Sequence, residues 1–197
     1  MFTFFLISIA LALTPGPDNI YLLNTAMQKS KTYAATFMFG LCSGLVIHTA
    51  LTIIGISSII AADKNLFTVL QIFGACYLLY LGVTMLRKTS STKEKNLEYK
   101  VNGSIYIRGV IMNLSNPKVL LFFLSFFPQF IDPSHDHRIW QSIYFGAVFI
   151  LATLIAFSSI IFLAHLLSNA LNSNRFRVLL NRSTAAIFIV LAISILL

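Results

Sequence analysis

Charge is what this chain of 197 residues has least of. Asp, Glu, Lys and Arg make up 10% of it, whereas soluble domains carry about 25%. A soluble α/β enzyme is excluded, because its surface could not be built from so few polar residues. Cysteine is scarce too: Cys42 and Cys76 are the two, and no C-x-x-C exists. That removes zinc ribbons and thioredoxin-like redox motifs and leaves both cysteines reading as small buried hydrophobes. A G-x-x-x-x-G-K loop is absent, so ATP-driven pumping would need a separate partner. No Glu falls inside any long apolar run, and the paired carboxylates or nucleophile–His sets of an enzyme are missing. The chain therefore reads as a non-enzyme without a cofactor.

What is abundant is apolar surface. Apolar residues make up 57% and Phe alone contributes 18, with a mean hydropathy of +0.84. Disorder is excluded, since its signature is low hydrophobicity. Six stretches approach the roughly 20 apolar residues needed to cross a bilayer: Phe2–Ala26, Ala34–Ile60, Leu66–Leu86, Ser104–Ile131, Gln141–Leu167 and Val178–Leu197. None alternates with period two, which argues against an outer-membrane barrel. The opening segment of the first run, Phe2 to Leu13, is followed by Thr14-Pro15-Gly16-Pro17, and Ala10-Leu11-Ala12 faintly resembles a signal-peptidase site. A secretory signal opens on positive charge, yet no Lys or Arg precedes Lys29. The first run is thus expected to be a retained transmembrane helix.

The net charge of +8 would suggest nucleic-acid binding in a soluble protein. Here the basic residues sit between apolar runs, which is the pattern that sets membrane orientation. Lys29, Lys31, Arg87, Lys88, Lys93, Lys95, Lys100, Arg108, Arg175, Arg177 and Arg182 fall on one side, against Lys64 and Arg138 on the other. The first side is expected to be cytoplasmic and both termini external. Trp140 and Tyr144 open the fifth run, where an aromatic anchor would lie. Each of these residues would also serve as an ordinary loop or interface residue.

The polar linker 88–103 divides the chain into three runs and three. Pro17 and Pro117 align at an offset of 100 and place Asp18 opposite Lys118. Three runs per half is odd, so the halves must have opposite topology. The predicted fold is all-α and integral to the membrane: six helices in one transporter domain, as two inverted three-helix repeats (about 1–87 and 104–197), each with a Pro-broken first helix. Interrupted helices at matching positions mark the binding site of such transporters. Proline removes an N–H and disturbs the carbonyl one turn back, and in hydrocarbon that carbonyl needs a new partner. Gly16 adds backbone freedom at the bend. A simple proline kink is the plainer alternative.

Asp18 lies about 24 Å along the first run at 1.5 Å per residue, and Lys118 lies near the middle of the fourth. A charge at a helix centre costs about 2.5–3.5 kcal/mol on insertion scales, so both are candidates for a substrate or coupling site, or for a purely structural pair. Pro15, Gly16, Pro17, Asn19, Asn116 and Pro117 flank them. Gly40-x3-Gly44-x3-His48 forms a stripe on the second run; the glycines permit close helix approach, within one subunit or between two. His48 would then face the first or fourth run, as a relay, a substrate contact or a hydrogen-bonded structural histidine. His135-Asp136-His137 looks like a metal site only superficially, since three adjacent loop residues seldom converge on one ion.

These motifs resemble the LysE-type amino-acid exporters of the homoserine/threonine-resistance branch. Thr14-Pro15-Gly16-Pro17-Asp18-Asn19 is similar to that family's N-terminal signature. Gly40 through His48 and Gly74 through Gly82 fit its second and third helices. Gly109 through Lys118, then Phe126-Phe127-Pro128-Gln129-Phe130, fit its fourth. The resemblance implies a bacterial inner-membrane protein that exports amino acids or derivatives, driven by protons, and it leaves homo-oligomers open. The expected partners are a small amino acid, protons and membrane lipid. Two rivals stand beside this reading. A metal or small-cation exporter would use Cys42, Cys76 and His48 as soft ligands, but Cys42 and His48 are six apart, about 240° around a helix. A structural or enzymatic membrane subunit is the other.

Overall fold

The computed structural model describes residues 2–62, 64–87, 104–131, 137–164, 166 and 173–196. They are helical, with no strand among the described residues. In chain order the helices are α1 Phe2–Leu13, α2 Pro17–Gln28, α3 Lys31–Ala62, α4 Lys64–Arg87, α5 Ile105–Leu114, α6 Pro117–Leu121, α7 Arg138–Phe162 and α8 Asn174–Leu196. A wide π turn, Phe122–Phe126, and a tight 3-10 turn, Phe127–Phe130, prolong α6. The linker 88–103 and most of the His135-Asp136-His137 loop lie outside the described residues; His137 is exposed.

Among the described residues, three helical stretches are long and apolar enough to cross a membrane: Lys31–Gly55, Arg138–Phe162 and Val178–Leu196. Two bent pairs pass the same test together, α1 with α2 at 64° and α5 with Pro117–Phe130 at 49°. The count by length and composition is thus three to five rather than the six expected. The difference lies in the third run. That run folds as helix α4, Lys64–Arg87, whose apolar stretch within the described residues is Gln71–Arg87.

In lipid the hydrophobic effect does not drive helices together; close packing and hydrogen bonds do. The principal pairs are α3 with α5, α4 with α8, and α7 with both α1 and α3. The α3–α5 crossing is built on Gly40 and Gly109. A Cβ on Gly40 would strike the Tyr106 carbonyl, and one on Gly109 the Phe37 carbonyl. The Gly stripe therefore serves contact within the chain. Gly74 similarly admits Ser125 of the π turn against α4. An aromatic cluster fills the opposite side. The Phe4 ring meets Phe130 edge-on at 4.8 Å and Phe145 at 4.9 Å, and Phe122 stacks on Phe149 at 4.9 Å. Such pairs add about 0.5–1.5 kcal/mol each beyond area burial.

Large apolar side chains also cover the outside, among them Leu51, Ile54, Phe73, Leu151 and Val190. Hydroxyls in the helices bond back to their own carbonyls, as Ser8 does to Phe4 and Thr52 to His48, which satisfies them without water. One expectation changes here. Cys42 is buried, but Cys76 is exposed on α4. A thiol is apolar enough that an outward position facing lipid carries no penalty.

Candidate functional site

The two helix breaks meet, and the reason lies in backbone carbonyls. An intact helix would give the Leu11 carbonyl the N–H of residue 15, but Pro15 has none. The Ala12 and Thr14 carbonyls lose the N–H groups of Gly16 and Asp18 as the chain turns by 64°. The Leu11 carbonyl keeps a tighter backbone bond from the Thr14 N–H at 3.2 Å, and side chains supply a donor to all three. Lys118 Nζ donates to the Leu11 carbonyl at 3.2 Å and to the Thr14 carbonyl at 3.1 Å. Asn19 Nδ2 donates to the Ala12 carbonyl at 2.7 Å. A lysine ammonium at the C-terminal end of α1 also meets the negative end of that helix's dipole.

Gly16 plays a different part from the one expected. Its φ of −164° is extended backbone that any residue adopts, so no special freedom is used. A Cβ there would lie 3.5 Å from Lys118 Nζ. Glycine leaves one flank of the ammonium uncovered.

The second break mirrors this with neutral groups. Pro117 withholds its N–H from the Asn113 carbonyl. That carbonyl instead accepts from the Asn116 N–H at 3.0 Å, and His48 Nε2 lies 3.5 Å from it. The imidazole is buried and stacks on Phe123 at 5.4 Å. Of the alternatives open for His48, the contact with the fourth run is the one formed. Asn116 caps α6, its Oδ1 accepting from the Lys118 N–H at 3.0 Å.

Asp18 sits in the first turn of α2 and is 2% exposed. There the positive end of the helix dipole favours its charge. Asn116 Nδ2 donates to Asp18 Oδ2 at 2.8 Å. Asp18 and Lys118 make no direct hydrogen bond: the ammonium is committed to carbonyls, and Asn116 bonds to the Asp18 carboxylate and to the Lys118 backbone N–H. The direct pair allowed for in the sequence is not formed, because the ammonium is held by the Leu11 and Thr14 carbonyls. Asp18 Oδ1, Asn19 Oδ1 and Asn113 Oδ1 are buried and have no hydrogen-bond partner among the described residues. All three are acceptors.

The predicted residues Asp18, Asn19, His48, Asn116 and Lys118 therefore come together around Pro15, Gly16, Pro17 and Pro117. Two contributors were missed. Asn113, 2% exposed, lies beside Asp18 and fits against Gly44, where a Cβ would strike its side chain. Its position four before Pro117 was the available signal. Arg108, counted above with the loop charges, is half-buried in α5 instead. Its Nη1 donates to Tyr21 Oη of α2 at 2.6 Å, and its guanidinium lies 5.8 Å from that ring. Among the described residues no three His, Cys, Asp or Glu side chains are grouped so as to hold a metal.

The family model described as LysE type translocator matches residues 9–197. A leucine efflux protein of Salmonella typhimurium is 32% identical over 168 residues, covering 84% of this chain and 76% of its own. An uncharacterised membrane protein of Vibrio cholerae is 30% identical over 68% of this chain and 66% of its own. Another from Pseudomonas aeruginosa is 33% identical over 64% of this chain and 61% of its own. No solved structure matches significantly. The chain is a multi-pass membrane protein, and it belongs to the LysE type translocator family.

Proposed function

We propose that this protein is a secondary transporter, not an enzyme, that exports amino acids or amino-acid derivatives across the bacterial inner membrane in exchange for protons. One observation carries the reading: a buried carboxylate and a buried ammonium meet where two broken helices cross. A free amino acid is a zwitterion and needs one partner of each sign. Asp18 supplies the negative charge for its ammonium, and Lys118 the positive charge for its carboxylate. Phe123, stacked on His48 beside the Asn113 carbonyl, offers an apolar wall for a side chain. Together with the leucine efflux relatives, it makes leucine the first amino acid to try. Proton coupling through Asp18 follows from its setting. Burial penalises the ionised carboxylate, and the lysine favours it.

The architecture belongs to the same proposal: six spans in two inverted repeats, 1–87 and 104–197, joined by a cytoplasmic linker, with both termini external. Helix pairing supports it. The second helix of each half packs on the broken helix of the other, α3 on α5 and α7 on α1, while the third helices α4 and α8 pair with each other. Exchange of the two halves by a pseudo-twofold axis would give that pattern.

The deciding experiment uses everted membrane vesicles bearing the protein, with a panel of labelled amino acids and an imposed proton gradient. We expect gradient-dependent accumulation of leucine or another apolar amino acid, abolished by a protonophore. Vesicles that move no amino acid beyond the empty-membrane level would defeat the reading; movement of a divalent cation instead would favour the metal exporter.

A further inference from the structure

We infer that the carbonyls of Leu11 and Thr14 form a binding site for a primary ammonium group, held in this structure by Lys118 and taken by the substrate's ammonium during transport. The second half of this statement rests on the export reading above; the first does not.

The site exists because of the sequence around the first break. Pro15 denies the Leu11 carbonyl its helical donor, and the bend denies the Thr14 carbonyl the N–H of Asp18. At the C-terminal end of α1 the Thr14 carbonyl is left without a backbone donor, and the Leu11 carbonyl keeps only the Thr14 N–H at 3.2 Å, which leaves one of its two lone pairs open. The donor found there is an ammonium, at 3.2 and 3.1 Å. An ammonium has three N–H groups, and these carbonyls account for two. On the Gly16 side no Cβ stands against Nζ; one there would lie 3.5 Å from it. The negative charge that makes the place suitable for a cation is Asp18, which accepts from the same Asn116 side chain that caps the Lys118 backbone N–H.

Lys118 thus stands where a substrate ammonium would stand, tethered to the other half of the molecule. If Lys118 is to bind a carboxylate, it must leave these carbonyls, and they then need another donor. A zwitterion meets both demands at once. Its ammonium replaces Nζ on the Leu11 and Thr14 carbonyls, and its carboxylate receives the displaced lysine. A group lacking either charge completes only half of the exchange. The predicted ligand class is therefore a primary ammonium, small enough to pass the Gly16 flank. A quaternary ammonium has no N–H to donate and is excluded.

The test empties the site and offers a substitute. Lys118→Ala protein is purified in detergent and its thermal unfolding is followed with methylammonium or tetramethylammonium chloride. We expect methylammonium to raise the unfolding midpoint of the variant, with no rise from tetramethylammonium and none in the wild-type protein, whose site is filled. A folded variant that ignores methylammonium, or answers both cations equally, overturns the site. Should Lys118→Ala not fold, Gly16→Ala keeps the lysine and adds a methyl 3.5 Å from Nζ. It should leave folding intact and raise the KM for exported substrate about tenfold, equivalent to 1.4 kcal/mol; an unchanged KM overturns the exchange. If wild-type vesicles export no amino acid while Lys118→Ala still answers methylammonium, the site stands and the export reading falls. Export without that answer drops the site alone.

Discussion

The two helix breaks face the same chemical problem and meet it differently. At the first, the bend is 64°; the Leu11 carbonyl keeps the Thr14 N–H at 3.2 Å, but the Thr14 carbonyl takes its donor, and the Leu11 carbonyl a second one, from a charged side chain in the other half of the chain. At the second, the bend is 49°. The Asn113 carbonyl is met by the adjacent Asn116 N–H, with the neutral His48 at the limit of hydrogen-bond distance. The first break thus depends on where the second half lies, whereas the second is largely closed by its own residues. A movement of one half against the other would strain the first break before the second. That asymmetry identifies α1–α2 as the responsive element and α5–α6 as the firmer one.

Removing the lysine should break this comparison most sharply. Lys118→Met leaves two carbonyls without their charged donor and Asp18 without a neighbouring cation. Losing one member of a buried charge set costs about 3–5 kcal/mol. We expect export to fall to background and the unfolding midpoint to drop, read by vesicle efflux and by thermal denaturation of purified protein. Full stability in this variant would mean that the first break closes on its own, and the asymmetry would vanish. Asp18→Asn comes next. It preserves shape and the contact with Asn116 but removes the charge. Gradient-driven export should be lost at normal expression and folding. Export at the wild-type rate in that variant would separate Asp18 from coupling.

Asparagines on the two sides sharpen the same contrast. Asn116→Ala removes the cap of α6, about 1 kcal/mol, together with the amide that bonds Asp18, where a hydrogen bond to a charge contributes about 1.5–3 kcal/mol. Asn19→Ala leaves only the Ala12 carbonyl without its side-chain donor, about 1–3 kcal/mol. Both should lower the unfolding midpoint, Asn116→Ala further. A larger drop from Asn19→Ala would show that the first break is held mainly from its own half.

Much of this site could be read from the sequence, and the parts that could not have a common cause. Proline, glycine and intramembrane charge are rare enough in apolar runs that Pro15, Pro17, Asp18, Pro117 and Lys118 announce themselves. Their neighbours Asn19 and Asn116 follow by position. What the letters do not carry is the backbone. The acceptors on Leu11 and Thr14 belong to residues whose side chains are unremarkable, and they capture the lysine that was expected to reach Asp18. Asn113 was passed over because nothing marks an asparagine four residues before a proline until the freed carbonyl is counted. Arg108 was assigned to a loop because charge near the end of a run reads as solvated, yet its partner Tyr21 comes from a helix 87 positions away in sequence. The third span is the corresponding case for the fold. Its apolar run is legible, but a run of that length does not settle whether its helix crosses a bilayer alone.

The smallest effect should come from the firmer break. His48 Nε2 stands 3.5 Å from the Asn113 carbonyl, which the Asn116 N–H already serves at 3.0 Å. Replacing His48 by Gln keeps a polar side chain with an N–H donor and removes only the ring, its stacking on Phe123 and its capacity to titrate. If the histidine is structural, the lost ring contact is worth about 0.5–1.5 kcal/mol, and export should stay within about tenfold of wild type with its dependence on the proton gradient unchanged. If it carries protons, the variant should still exchange labelled substrate across the membrane without a gradient, yet no longer accumulate it when a gradient is imposed. Measuring counterflow and gradient-driven accumulation in the same vesicles separates the two outcomes. Loss of accumulation with counterflow intact would move the coupling step from Asp18 at the charged break to His48 at the neutral one. The comparison between the breaks would then be one of substrate binding against proton transfer rather than of responsive against firm.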